Sequence, residues 1–129
     1  FEAMDFPDDL RYSTDHEWVR VEDGKARIGI TDYAQDALGD VIFIDLPALG
    51  TTVAGGQVIS EVESTKSVSE IYAPLGGQIV EVNADLVDAP ERLNADPYGE
   101  GWICVIELSS DYNPSDLMDA SSYIQMTEA

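Results

Sequence analysis

The chain has 129 residues, 44% of them hydrophobic, enough for one domain with one modest core that needs neither metal nor disulfide to fold. Its single cysteine, Cys104, excludes an internal disulfide and a Cys-rich metal site. Twenty-six acidic residues against six Lys or Arg give a net charge of −20, which repels nucleic acid and anionic membrane and suits either solubility or steering towards basic docking surfaces.

Residues 1–11 read as an N-terminal extension, with Phe1-Glu2-Ala3 ahead of Met4 as an expression-tag remnant. No apolar run approaches the roughly 20 residues of a membrane span, and no segment has the form of a signal peptide. "HEWVRVEDGKARIGI" (16–30) predicts two strands: Trp18, Val19 and Val21 precede the tight-turn pair Asp23-Gly24, and Ala26, Ile28 and Ile30 alternate after it. In "TDYAQDALGD" Thr31 is a cap, Tyr33, Ala34, Ala37 and Leu38 recur at helical spacing, and Gly39 suits the position after the last turn. "DVIFIDLP" predicts a strand stopped by Pro47.

"QVISEVES" and "SVSEIYAP" predict the two arms of a hairpin with Thr65-Lys66 at its tip. Val58 and Val62 are expected to face the core with Ile59 opposite or near a bulge, while Val68 and Tyr72 share a face. "QIVEVN" is a further strand after the turn at Gly76-Gly77. "DAPERLN" predicts one helical turn capped by Asp88, and "WICVIEL" a last strand. In the tail, Asn113, Pro114 and Asp116 form a helix-start pattern, with Leu117, Tyr123 and Ile124 packing that helix on the body. Short strands between Gly- and Pro-containing turns argue for an antiparallel sandwich or small barrel.

No catalytic constellation assembles from these residues. His16 lies next to Glu17 and near Asp15, but adjacency in sequence supplies no pocket, and the residue reads as a structural or surface histidine. Cys104 reads as a buried thiol. Lys66 stands apart. Lys25 is the only other lysine, and the small Ser and Thr neighbours leave the Lys66 amine accessible, with a stem expected to meet no core. An accessible lysine on a rigid turn is a handle for an enzyme that acylates it.

"HEWVRVEDGKARIGITDYAQDALGDVIFIDLPALGT", "EVESTKSVSEIYAP" and "NADPYGEGW" together resemble the H protein family of the glycine cleavage system, from about Tyr12 through Leu108, and "SDLMDASSY" is similar to the family's C-terminal helix. The resemblance implies a mainly β fold, a lipoyl-domain-like barrel-sandwich hybrid of antiparallel sheets with short helices and a C-terminal helix. It divides the chain into a carrier domain over 12–110 and a helical tail over 111–129 packed on that domain. The family motif E-S-x-K falls on Glu63, Ser64, Thr65 and Lys66, so the resemblance implies covalent lipoic acid on Lys66. Glu63, Ser64, Thr65 and Ser67 are the residues a lipoylating enzyme would read. Many members have Val before and Ala after the lysine, where this chain has Thr65 and Ser67.

The implied role is that of a carrier and not an enzyme, with the redox chemistry in the cofactor. A PLP-dependent glycine decarboxylase would load an aminomethyl group on the arm, and a tetrahydrofolate-dependent aminomethyltransferase would remove it. An FAD-containing dihydrolipoamide dehydrogenase would reoxidise the dithiol, and a lipoate ligase or lipoyl transferase would attach the cofactor. Glu17 and Glu70 are the candidates for meeting the ammonium of a folded-back, loaded arm. The free chain is expected to be a monomer, in the cytoplasm if bacterial and in the mitochondrial matrix if eukaryotic. A lipoate relay protein and a lipoyl domain of a 2-oxoacid dehydrogenase stay open as alternatives. The second normally shows Asp-Lys-Ala and lacks the "TDYAQDALGD" and "DPYGEGW" segments.

Overall fold

The computed structural model describes residues 5–109 and 117–128. Two antiparallel sheets face each other across one core. The larger has six strands in the order β1 (Arg11–Tyr12), β2 (Glu17–Glu22), β3 (Lys25–Ile30), β9 (Cys104–Leu108), β8 (Gly77–Val82) and β5 (Thr52–Val53). The smaller runs β4 (Val41–Asp45), β6 (Val58–Ser64), β7 (Val68–Tyr72). Ala26, Ile28 and Ile30 from one sheet and Ile44, Val62 and Ile71 from the other fill the space between them. Alternation along β3 puts Ala26, Ile28 and Ile30 inward and Lys25 and Arg27 in water.

The β2–β3 hairpin closes at Asp23-Gly24, whose φ values of 52° and 75° are the left-handed pair that a two-residue turn between twisted strands requires. Helix α1 (Asp32–Leu38) starts at Thr31, which accepts the Ala34 N–H, and stops at Gly39 with φ 79°. Two short helices, α2 (Asp85–Asp88) and α3 (Arg92–Ala95), follow β8. Asp88 therefore ends α2 and does not cap the next turn, which starts at Glu91 without a side-chain cap.

One phase error in the sequence reading has a clear cause. Val58 is exposed and Ile59 buried, because a bulge between Val58 and Ser60 shifts the register against β7. Val68 and Tyr72 do share the outer face of β7, and Ile71 supplies its core contact.

Helix α4 (Ala120–Glu128) is preceded by Asp119, whose carboxylate accepts the Ser122 N–H as an N-cap does. The helix start expected at Asn113, Pro114 and Asp116 lies outside the described residues. A second apolar cluster of Leu10, Tyr12, Trp18, Ala120 and Tyr123 joins the N-terminal segment, the body and α4. Leu117 and Tyr123 are buried and Ile124 half-buried. Tyr12 pairs with Met118 in an isolated bridge and stacks on Tyr123 at 4.7 Å.

Candidate functional site

Lys66 is exposed at the tip of the β6–β7 hairpin. The tip is a two-residue loop closed by the Ser64 N–H donating to Ser67 O at 2.8 Å. Neither Thr65 nor Lys66 has the positive φ that such loops usually need, so the turn draws support from outside its own backbone. Ser64 Oγ accepts the N–H groups of Lys66 and Ser67, each at 3.1 Å. The Thr65 N–H donates to Asp40 O, 3.0 Å away on the α1–β4 connection. Ser64 is 6% exposed, so it holds the turn from within and does not offer itself for recognition. Glu63, Thr65 and Ser67 are exposed beside the lysine.

The Lys66 stem is not free in water as the sequence suggested. It lies over Gly39, where a Cβ would stand 3.1 Å from Lys66 Cε and 3.4 Å from Cδ. Gly39 thus serves twice, as the left-handed stop of α1 and as a flat seat for the stem. Asn94 on α3 fixes that seat: its Nδ2 donates to Gly39 O at 2.8 Å and its Oδ1 accepts the Val41 N–H at 2.9 Å. Sequence reasoning missed Asn94 altogether. A lone Asn in a helical turn carries no signal of partners more than 50 residues away.

Beside the seat opens a cavity of about 330 Å³. The β7 side supplies Ser67, Val68, Ser69, Glu70 and Ile71, starting one residue after Lys66. Its lining also includes Ala37 and Leu38, next to Gly39, and Asp15, His16 and Tyr33. An apolar slot with acidic groups suits an alkyl chain ending in a cation.

Glu70 lines this cavity, but Glu17 does not. Glu17 is 1% exposed on β2, one residue after the cavity-lining His16. Its Oε1 accepts from Ser13 Oγ at 2.6 Å and its Oε2 from the Tyr72 N–H at 3.3 Å. Burial pushes its carboxyl up to about 7, against the pull of these two donors, and Asp15 adds to the rise. Cys104 is fully buried and burial pushes its thiol up to about 12, so it is an inert core residue.

The family model for the glycine cleavage H-protein matches residues 10–129. The chain belongs to the glycine cleavage H-protein family. A glycine cleavage system H protein of Brevibacillus brevis is 51% identical over 125 residues, covering 97% of this chain and 99% of the relative. One from Bacillus subtilis is 50% identical over 125 residues, covering 97% and 98%. The crystal structure of a glycine cleavage system H protein from Mycobacterium marinum superposes with a TM-score of 0.88 at 43% identity, covering 95% of this chain and 99% of that one.

The family is a non-catalytic carrier component of the glycine cleavage system that bears covalent lipoate, and the two-sheet architecture expected from the resemblance is the one observed. The match spans the 31–40 and 96–102 segments that separate this family from lipoyl domains of 2-oxoacid dehydrogenases. Among the described residues no helix is long and apolar enough to cross a membrane.

Proposed function

We propose that Lys66 is the lipoyl attachment site. From there the chain presents the arm in turn to a glycine decarboxylase, an aminomethyltransferase and a dihydrolipoamide dehydrogenase, after a ligase or lipoyl transferase has attached it. The supporting observation is the acceptor geometry: an exposed lysine on a turn pinned by Ser64 and Asp40, its stem laid on Gly39. Lys25, the other lysine, sits within β3 of the large sheet. When bound, the lipoyl group supplies a disulfide–dithiol couple that carries the aminomethyl unit and then the electrons. The protein's part is presentation and shelter.

The cavity next to the seat is the shelter. Its apolar wall suits the arm, and Asp15 and Glu70 suit an ammonium at the arm's end. Glu17 contributes from behind the wall, because a cation in the cavity favours its carboxylate and draws its raised pKa down. Peptide mass mapping after incubation with a lipoate ligase or lipoyl transferase tests the attachment site. A lipoyl-sized increment is expected on Lys66 and none on Lys66→Arg, which keeps the charge but forms no such amide. An increment on Lys25, or none under conditions that modify a related H protein, defeats the assignment.

A further inference from the structure

His16 is the only histidine of the chain, and presentation of the arm leaves it without a task. Its backbone has φ 70°, a conformation few non-glycine residues adopt, in the turn that leads into β2. The ring forms part of the cavity wall and packs on Tyr33 with centroids 4.7 Å apart. Its Nδ1 is 2.8 Å from Tyr123 Oη on α4, and that oxygen is 2.8 Å from Thr31 Oγ1. Thr31 Oγ1 already accepts the Ala34 N–H at the start of α1.

These bonds have one good proton order. Thr31 and Tyr123 are both 0% exposed, so each hydroxyl proton needs an acceptor inside the protein. Among the described residues the acceptor within reach of the Thr31 hydroxyl is Tyr123 Oη, which leaves Tyr123 to donate to His16 Nδ1. The imidazole is then neutral with its proton on Nε2. Among the described residues that atom has no protein partner and no buried side-chain nitrogen or oxygen is left unpaired, so Nε2–H reaches the solvent of the cavity. Protonating Nδ1 strands one of the two buried hydroxyl protons whichever way the chain rearranges. That cost adds to burial, which already holds the imidazole below its usual range against the opposing pull of Asp15.

We propose that Tyr123 and Thr31 are positioning residues for the arm cavity, holding His16 as the neutral Nε2–H tautomer so that the cavity stays acidic towards a cationic guest. The titratable groups around the imidazole are Asp15 beside it, Glu70 of β7 in the same cavity lining and the buried Glu17 next to it in sequence on β2, with the rings of Tyr33 and Tyr123 packed on it. An imidazolium among them would offset one carboxylate and repel the ammonium. The proposal rests on the reading that the loaded arm folds into this cavity, and through Tyr123 it links the C-terminal helix to how well the arm is held.

Nitrogen-15 NMR of the unlipoylated full chain tests the ordering directly, since one histidine gives one unambiguous ring. The wild type should show the Nε2–H tautomer with Nδ1 as acceptor. Tyr123→Phe keeps the stack on Tyr12 and loses only the hydroxyl. It should show mixed tautomers and a protonation equilibrium moved about tenfold towards imidazolium. In lipoylated, aminomethyl-loaded protein without aminomethyltransferase, Tyr123→Phe should lose the aminomethyl unit faster than wild type as pH falls, with the onset at a higher pH. His16→Asn tolerates the positive φ and does not titrate, so it should lack this part of the pH dependence. An Nδ1–H tautomer in the wild type overturns the proposal without any variant, as do an unchanged tautomer and titration in folded Tyr123→Phe. If the wild type never shelters its arm, the arm reading is what fails; if it does and Tyr123→Phe shelters it equally at every pH, the positioning role is what fails.

Discussion

Glu17 is a buried carboxyl with no ion-pair partner among the described residues, and its effect on stability has a definite sign. Burial first, and Asp15 second, raise it from 4.5 to about 7, so between those pH values the folded chain keeps a proton that the unfolded chain has released. Stability tied to that proton is fully present below the unfolded value and is lost as pH rises through about 7. Gln fits the site, its oxygen accepting from the Tyr72 N–H and its amide donating to Ser13 Oγ. Glu17→Gln should match the wild type near pH 4.5 and exceed it at pH 8 by on the order of 1–3 kcal/mol in denaturant unfolding. A Gln variant that is less stable at pH 8 contradicts this. Gly39 allows an equally local test. Gly39→Ala strains a φ of 79° and drives a methyl into the Lys66 stem, whereas Gly50→Ala strains a φ of 83° in open space. Both should cost about 1 kcal/mol or more, but only Gly39→Ala should slow lipoylation of Lys66 several-fold. Equal rates in the two variants would mean that Gly39 serves only to end the helix.

Among the elements, the β6–β7 hairpin explains why some of this site was readable. Alternation and a two-residue polar tip placed Lys66 where it is, and capping chemistry placed α1 between Thr31 and Gly39, because both signals act within a few residues. Val58 does not face the core as expected, while Ile59, expected opposite it or near a bulge, lies at a bulge whose exact place is set by the pairing with β7 and not by β6 itself. The support of the site was not readable at all: Asn94 reaches Gly39 across 55 residues and Tyr123 reaches His16 across 107. Such bonds follow from tertiary placement, and a single Asn or Tyr looks the same with or without them. The hairpin's own energetics follow from burial. Val62 is 0% exposed, so Val62→Ala should cost about 1–3 kcal/mol. Lys66→Ala should cost well under about 1 kcal/mol, because the exposed stem only rests on its seat. Unfolding curves that reverse this order would mean that the tip, and not the buried arm, holds the hairpin together.

Across the whole molecule the charge of −20 acts in two opposed ways. Ion pairs among the described residues use only Arg20 and Arg92, all partly exposed, so most carboxylates face water without a cation. On the outer face of the small sheet Asp45, Glu61 and Glu70 stand directly opposite one another across three strands. Like charges in that register repel, by roughly 0.2–1 kcal/mol for each pair. Salt screens this repulsion, with a Debye length of about 10 Å at 0.1 M, so the folded chain should gain stability as salt rises from low ionic strength. Glu61→Gln removes the middle charge of the row and should both raise stability at low salt and reduce the gain from salt. Association moves the other way if the acidity also steers the carrier towards basic docking surfaces, because screening then lowers the on-rate. Thermal unfolding and stopped-flow binding to the aminomethyltransferase, run over the same salt series, separate the two effects. Steering requires the on-rate to fall while the melting temperature climbs. An on-rate indifferent to salt, beside a melting temperature that rises, would assign the acidity to solubility alone and leave docking to the residues around Lys66.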